Sequence, residues 1–137
     1  MPLGSTHHIG LTLRDVKAAE AAFYAPVLGF LGYEKVEDTP EFTLWWSQAL
    51  QIGVNLWQAK AELAARPHER YAPGLHHLAF AAESRAQVDA FHHLLREIGA
   101  TVLDAPAEYE YTPGYYAVFF TDPDGLKLEL VHMPPIA

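Results

Sequence analysis

The chain has 137 residues, half of them hydrophobic, and a net charge of −8 from 17 acidic and 9 basic residues. That suffices for one ordinary domain or for two very small modules sharing a core, and the acidic balance leaves no basic stripe to neutralise a nucleic acid. There is no cysteine, which excludes disulfides, thiolate metal sites and a cysteine nucleophile, while eight histidines are many for this length. No apolar run approaches the roughly 18 residues of a membrane span, and no basic-then-apolar signal pattern opens the chain. A cytoplasmic protein without a membrane partner is the expectation.

Residues 1–6 read as a loose end. His7 to Leu13 alternates as a strand, with Ile9, Leu11 and Leu13 on one face and His8, Gly10 and Thr12 on the other. Asp15 is a plausible N-cap for a helix through Val16, Ala19, Phe23, Val27 and Leu28, which Pro26 should kink or end. Tyr33–Val36, Phe42–Ser47 and Gln51–Gln58 read as three further strands. Residues 59–75 hold Pro67, Pro73 and Gly74 and form the connection between halves.

The pattern then begins again. His76-His77-Leu78-Ala79-Phe80 repeats His7-His8-Ile9-Gly10-Leu11. Ser84 caps a helix with Gln87 in the capping-box position, Val88, Phe91, Leu94, Leu95 and Ile98 form its apolar face, and Gly99 ends it. Three strands follow at Thr101–Leu103, Tyr115–Thr121 and Leu126–His132. An aromatic loop from Ala105 to Gly114 separates the first two. The chain is therefore βαβββ twice. The expected fold is α+β, with tandem βαβββ modules at about 7–58 and 76–133 forming curved mixed sheets around a cleft, in a single domain over 7–133.

The last strand carries an anomaly. Asp122-Pro123-Asp124-Gly125 is a tight turn, and Glu129 then stands between Leu128 and Leu130. A carboxylate in an apolar strand costs several kcal/mol when buried without a partner. His8 and His77 occupy equivalent places in the repeat, and pseudo-symmetry would bring them near one axis. Two imidazoles and a carboxylate make a divalent metal site with open positions. His7 and His76 are assigned to the opposite faces of their strands, and His132, at odd separation from Glu129, to the other side of its own. A lone strand histidine is more often a surface residue than a ligand, but the repeat weighs against that for His8 and His77. Tyr115 and Phe119 share a strand face and are candidates to line the cleft, and Tyr111 on the preceding loop is a candidate to cover it and donate to a bound oxyanion, against plain aromatic packing. At most one face of the Trp45, Trp46 and Trp57 set can enter the cleft. Arg14 and Lys127 are anion-contact candidates that are as well explained as solvated charges.

His8-Ile9-Gly10-Leu11-Thr12-Leu13, Val27-Leu28-Gly29-Phe30, Leu75-His76-His77-Leu78 and Asp122-Pro123-Asp124-Gly125-Leu126-Lys127-Leu128-Glu129 together resemble the vicinal oxygen chelate superfamily of glyoxalases, bleomycin- and fosfomycin-resistance proteins and extradiol dioxygenases, over about residues 7–132. The resemblance implies one divalent ion (Fe, Mn, Ni, Zn or Co) held by residues matching His8, His77 and Glu129, a small substrate with vicinal oxygens, and a homodimer. Glyoxalase I carries a further glutamate where this chain has Asn55. That departure counts against its reaction and leaves a set closer to the dioxygenases and fosfomycin-modifying enzymes. The expected function is dioxygenase- or lyase/isomerase-type catalysis. The alternative is a non-catalytic antibiotic- or ligand-binding protein on the same fold.

Overall fold

The computed structural model describes residues 1–136. The chain forms two compact units, Met1–Arg66 and Pro67–Ala137, which part inside the expected connection. No helix among the described residues is long and apolar enough to cross a membrane.

The first unit opens with strand β1 (His8–Leu13), followed by a helix in three registers. Asp15 caps it by accepting from the Ala18 N–H at 3.1 Å. A short turn α1 (Val16–Ala19) widens into a π-helical turn over Glu20–Tyr24 and closes again as α2 (Ala25–Phe30). By the sequence Pro26 should end or kink this helix. It does not end it: Pro26 sits in the first turn of α2, where its missing N–H costs little, and the register changes just ahead of it, where the Ala25 N–H bonds five residues back to the Glu20 carbonyl. Strands β2 (Glu34–Asp38), β3 (Phe42–Ser47) and β4 (Ile52–Gln58) complete one sheet in the order β1-β4-β3-β2, with β1 parallel to β4.

The second unit repeats this plan with β5 (Leu78–Ala81), helix α3 (Arg85–Glu97), β6 (Thr101–Glu108), β7 (Tyr116–Thr121) and β8 (Lys127–His132). Its sheet order is β5-β8-β7-β6, with β5 parallel to β8. Ser84 caps α3 through the Gln87 N–H, as the capping-box spacing predicts. Strand β6 runs to Glu108, so the aromatic loop is shorter than the sequence suggests. Pro106 is accommodated because β6 is the edge strand and its pairing with β7 slips between Asp104 and Ala107.

Each sheet buries one face against its own helix. In the first unit Leu13, Val54 and Leu56 lie under Phe23, Val27 and Leu28, all nearly inaccessible. In the second, Phe120, Leu128 and Leu130 form the same layer with Val88, Phe91 and Leu95, and Phe91 meets Phe120 edge to face at 5.1 Å. The turn into β8 is as read: Gly125 has φ +86°, and buried Asp122 accepts from the N–H groups of Asp124 and Leu126.

Sequence reading misses Glu20, a buried acid on the sheet-facing side of the first helix. Thr43 Oγ1 donates to its Oε2 at 2.9 Å and Trp45 Nε1 at 2.7 Å, while Lys35 Nζ lies 3.5 Å from Oε1. Trp45 faces the helix, so of the three tryptophans it belongs to this core. Glu20→Ala strands the Thr43 hydroxyl and the indole N–H. It should lower unfolding free energy by roughly 2 kcal/mol, the scale of buried bonds to a charged group, read as an earlier urea midpoint by tryptophan fluorescence. Glu20→Gln, which keeps an acceptor, should lose less.

Candidate functional site

Strand alternation sends Glu129 away from the helix. Leu128 and Leu130 take the helix face of β8, so Glu129 is on the other side, between Ala79 of β5 and Phe119 of β7 in register. It is nonetheless only 1 % exposed. Its two oxygens have different neighbours. The Tyr115 hydroxyl donates to Oε2. His77, just ahead of β5, places Nε2 at 3.4 Å from Oε1, with its side chain 37 % exposed. The structure thus brings together His77, Glu129 and Tyr115, and Tyr111 joins them by an edge-to-face contact with the Tyr115 ring at 5.2 Å.

The aromatic loop continues the wall. Tyr109 stacks on Tyr111 at 5.9 Å and meets Phe119 edge-on at 5.2 Å, while Tyr111 itself is 71 % exposed. Lys127 Nζ lies over the Phe119 ring, 4.8 Å from its centroid. Burial, then the bond to Glu129, pushes the Tyr115 hydroxyl well above the ordinary tyrosine value. Burial and nearby Asp104 do the same to Tyr109. Desolvation first, then His77, Lys127 and Arg70, lower His76. His132 reaches instead to the Ala82 carbonyl at 3.2 Å, in keeping with its expected separation from Glu129.

His8 begins β1 in the first unit, paired with Gly53. A Cβ at Gly53 would lie 3.1 Å from Trp46 and 3.3 Å from the His8 Cβ, so glycine leaves that face open around His8. The registers place the halves in correspondence: Gly10 pairs with Asn55 as Ala79 pairs with Glu129. Asn55 is therefore the first unit's counterpart of Glu129, and His8 the counterpart of His77.

One expectation fails. Alternation should send His7 and His76 to the opposite faces from His8 and His77. Instead each doublet is in ring contact, with Nδ1 atoms 2.9 Å apart in His7–His8 and 2.7 Å apart in His76–His77. The reason is position: His7 precedes β1, and both His76 and His77 precede β5, so the pleat does not govern the pairs.

The donor chemistry suits a metal ion at the His77–Glu129 pair. A separation of 3.4 Å exceeds a good N–H···O distance of about 2.7–3.2 Å and matches two adjacent ligands of an ion bonded to each at about 2.1 Å. Tyr115 occupies the other carboxylate oxygen, as hydrogen-bond partners of ligating carboxylates do. Among the described residues no group of three His, Cys, Asp or Glu side chains is gathered as a metal set.

The Tyr115 shift has a sign that can be checked. A folded value above the unfolded one means the fold favours the neutral phenol. That stabilisation is complete below a pH of about 10 and fades as pH rises through the folded value. Tyr115→Phe should remove the last step of the tyrosinate absorbance titration and flatten the loss of stability in alkali. Persistence of the late step would contradict the Tyr115–Glu129 bond.

Residues 5–130 match the family described as the Glyoxalase/Bleomycin resistance protein/Dioxygenase superfamily. The chain is 35% identical over 126 residues to the uncharacterized protein YqjT of Bacillus subtilis, covering 91% of this chain and 96% of that protein. A glyoxalase-type crystal structure from Bacillus halodurans superposes with a TM-score of 0.82 at 29% identity, covering 96% of this chain and 97% of that one. Two others show the fold alone. A glyoxylase/bleomycin resistance protein/dioxygenase domain from Frankia sp. EAN1pec has TM-score 0.80 at 22% identity over 99% of this chain and 96% of its own. A lactoylglutathione lyase from Agrobacterium tumefaciens has TM-score 0.69 at 23% identity over 96% of each chain. With its duplicated four-stranded sheets, α+β composition and sequence match over nearly its whole length, the chain belongs to the glyoxalase/bleomycin resistance protein/dioxygenase superfamily.

Proposed function

We propose that the protein is a divalent-metal-dependent enzyme of the vicinal oxygen chelate type, with His77, Glu129 and His8 as ligands and the two units acting as one domain. The observation that carries this is the buried Glu129 carboxylate, one oxygen on the Tyr115 hydroxyl and the other facing His77 Nε2 at 3.4 Å. Held by these residues, a divalent ion (Fe, Mn, Ni, Zn or Co) would supply Lewis-acid polarisation of two neighbouring oxygens of a small substrate. Glu129 contributes the negative charge of the set. Tyr115 holds that carboxylate in one orientation, and Tyr111, exposed beside it, donates a hydrogen bond to a substrate oxygen and screens it from water.

Asn55 narrows the chemistry. An amide at the counterpart of Glu129 neither titrates nor removes a proton, so reactions that need a second carboxylate base are disfavoured. Ring-cleaving dioxygenation, or opening and isomerisation steps without that base, fit the remaining set. A homodimer is part of the proposal, with His8 supplied by the same chain or by a second copy.

Metal content after purification without added metal tests this reading. One ion per chain in the parent protein, falling at least tenfold in occupancy in His77→Ala and Glu129→Ala, is the expected result. A parent protein that takes up no ion, or substitutions without effect, would sink it. Ligand binding untouched by a chelator would identify a non-catalytic binding protein on this fold. Mixed His8→Ala and His77→Ala chains that regain metal would show that two copies share a site.

A further inference from the structure

Both proposed imidazole ligands are the second histidine of a doublet, and the doublet is built the same way twice. The Nδ1 atoms approach to 2.9 Å in His7–His8 and 2.7 Å in His76–His77. The rings meet edge to face, with centroids 5.2 Å and 5.0 Å apart and planes at 85° and 77°. In each unit a larger aromatic ring lies against the first histidine: Trp46 against His7 at 5.5 Å and Tyr71 against His76 at 5.4 Å. These aromatics come from unrelated places, a strand in one unit and the connection in the other. The arrangement is therefore not a by-product of one repeated stretch.

Contact between two Nδ1 atoms has strict chemistry. One nitrogen must carry the hydrogen and the other a lone pair, since two N–H groups or two bare nitrogens repel. Two assignments follow. If His76 donates, His77 carries its proton on Nε2 and points it at Glu129, where 3.4 Å makes a poor hydrogen bond. If His77 donates, its Nε2 keeps the lone pair. His77 Nε2 and Glu129 Oε1 then face each other as two bare acceptors, an arrangement that a shared cation makes favourable. Neutral histidine side chains in water prefer the Nε2–H form, which cannot ligate through Nε2. A partner at Nδ1 reverses that preference.

We propose that His76 and His7 are positioning residues: each accepts the Nδ1–H of the histidine that follows it and so holds that ring as the tautomer whose Nε2 binds the ion. This rests on the metal-centre reading above. A carboxylate or backbone carbonyl commonly fills such a place. Here a neutral imidazole fills it, steadied by Trp46 or Tyr71, and no second negative charge is added beside Glu129.

The tautomers are read by long-range proton–nitrogen NMR of metal-free protein at a pH of about 8.5, well above the ordinary imidazole value; for this measurement alone every chain also carries Glu129→Ala, which removes the carboxylate that without a cation would draw the proton to His77 Nε2. His8 and His77 should both be Nδ1–H in the parent. His76→Ala should return His77 to the Nε2–H form, and His7→Ala should do so for His8. His76→Asn, whose side-chain oxygen accepts at a similar reach, should retain the Nδ1–H form. In parallel, zinc titration should show roughly ten- to a hundredfold weaker binding in His76→Ala, largely recovered in His76→Asn. An Nε2–H His77 in the parent, a tautomer indifferent to His76→Ala, or unchanged zinc affinity in that variant overturns the proposal. If the parent binds no zinc, the metal reading falls, while the metal-free tautomers still decide the pairing.

Discussion

A carboxylate that is 1 % exposed on the helix-free side of a sheet constrains everything around it. Glu129 is there because its neighbours Leu128 and Leu130 are needed on the other side, under Phe91 and Leu95. The strand order then sets its company. β8 lies between β5 and β7, so His77, just ahead of β5, comes to one flank and Tyr115, just ahead of β7, to the other. An unpartnered charge in this place would cost several kcal/mol. Among the described residues no buried side-chain nitrogen or oxygen lacks a hydrogen-bond partner, and Tyr115 is what spares Glu129 from that condition.

The two units solve the same packing problem with identical sheet orders and matching registers. They differ in what they place at the corresponding point. The first unit has Asn55 there and keeps its buried acid, Glu20, on the helix itself, facing Thr43 and Trp45 of the sheet. The second has Glu129 and lines the same sheet face with Tyr115, Phe119 and Lys127. The scaffold is repeated, and the side chains on the helix-free faces differ.

Much of this was legible from residue order because it rests on local rules. The doubled His-His strand start, the Ser84–Gln87 box, Gly99, and the Asp122–Gly125 turn each specify backbone geometry within a few residues. The Leu-Glu-Leu pattern marked Glu129 because alternation leaves an acid in that position few options. What escaped notice depends on longer reach. The π-helical turn ahead of Pro26, the slip that lets β6 pass Pro106, and the burial of Glu20 are settled by packing, which no local pattern records. The doublets defeat a local rule for the opposite reason. His7, His76 and His77 lie just outside the strands in which alternation holds. The doublet itself was the available signal, since two adjacent histidines at both repeat starts need a joint explanation.

Asn55 has one more implication. An amide requires no counter-ion, so its own partners in register, Gly10 on β1 and Leu44 on β3, are constrained by volume and hydrogen bonding. Near Glu129 every substitution is judged by charge as well.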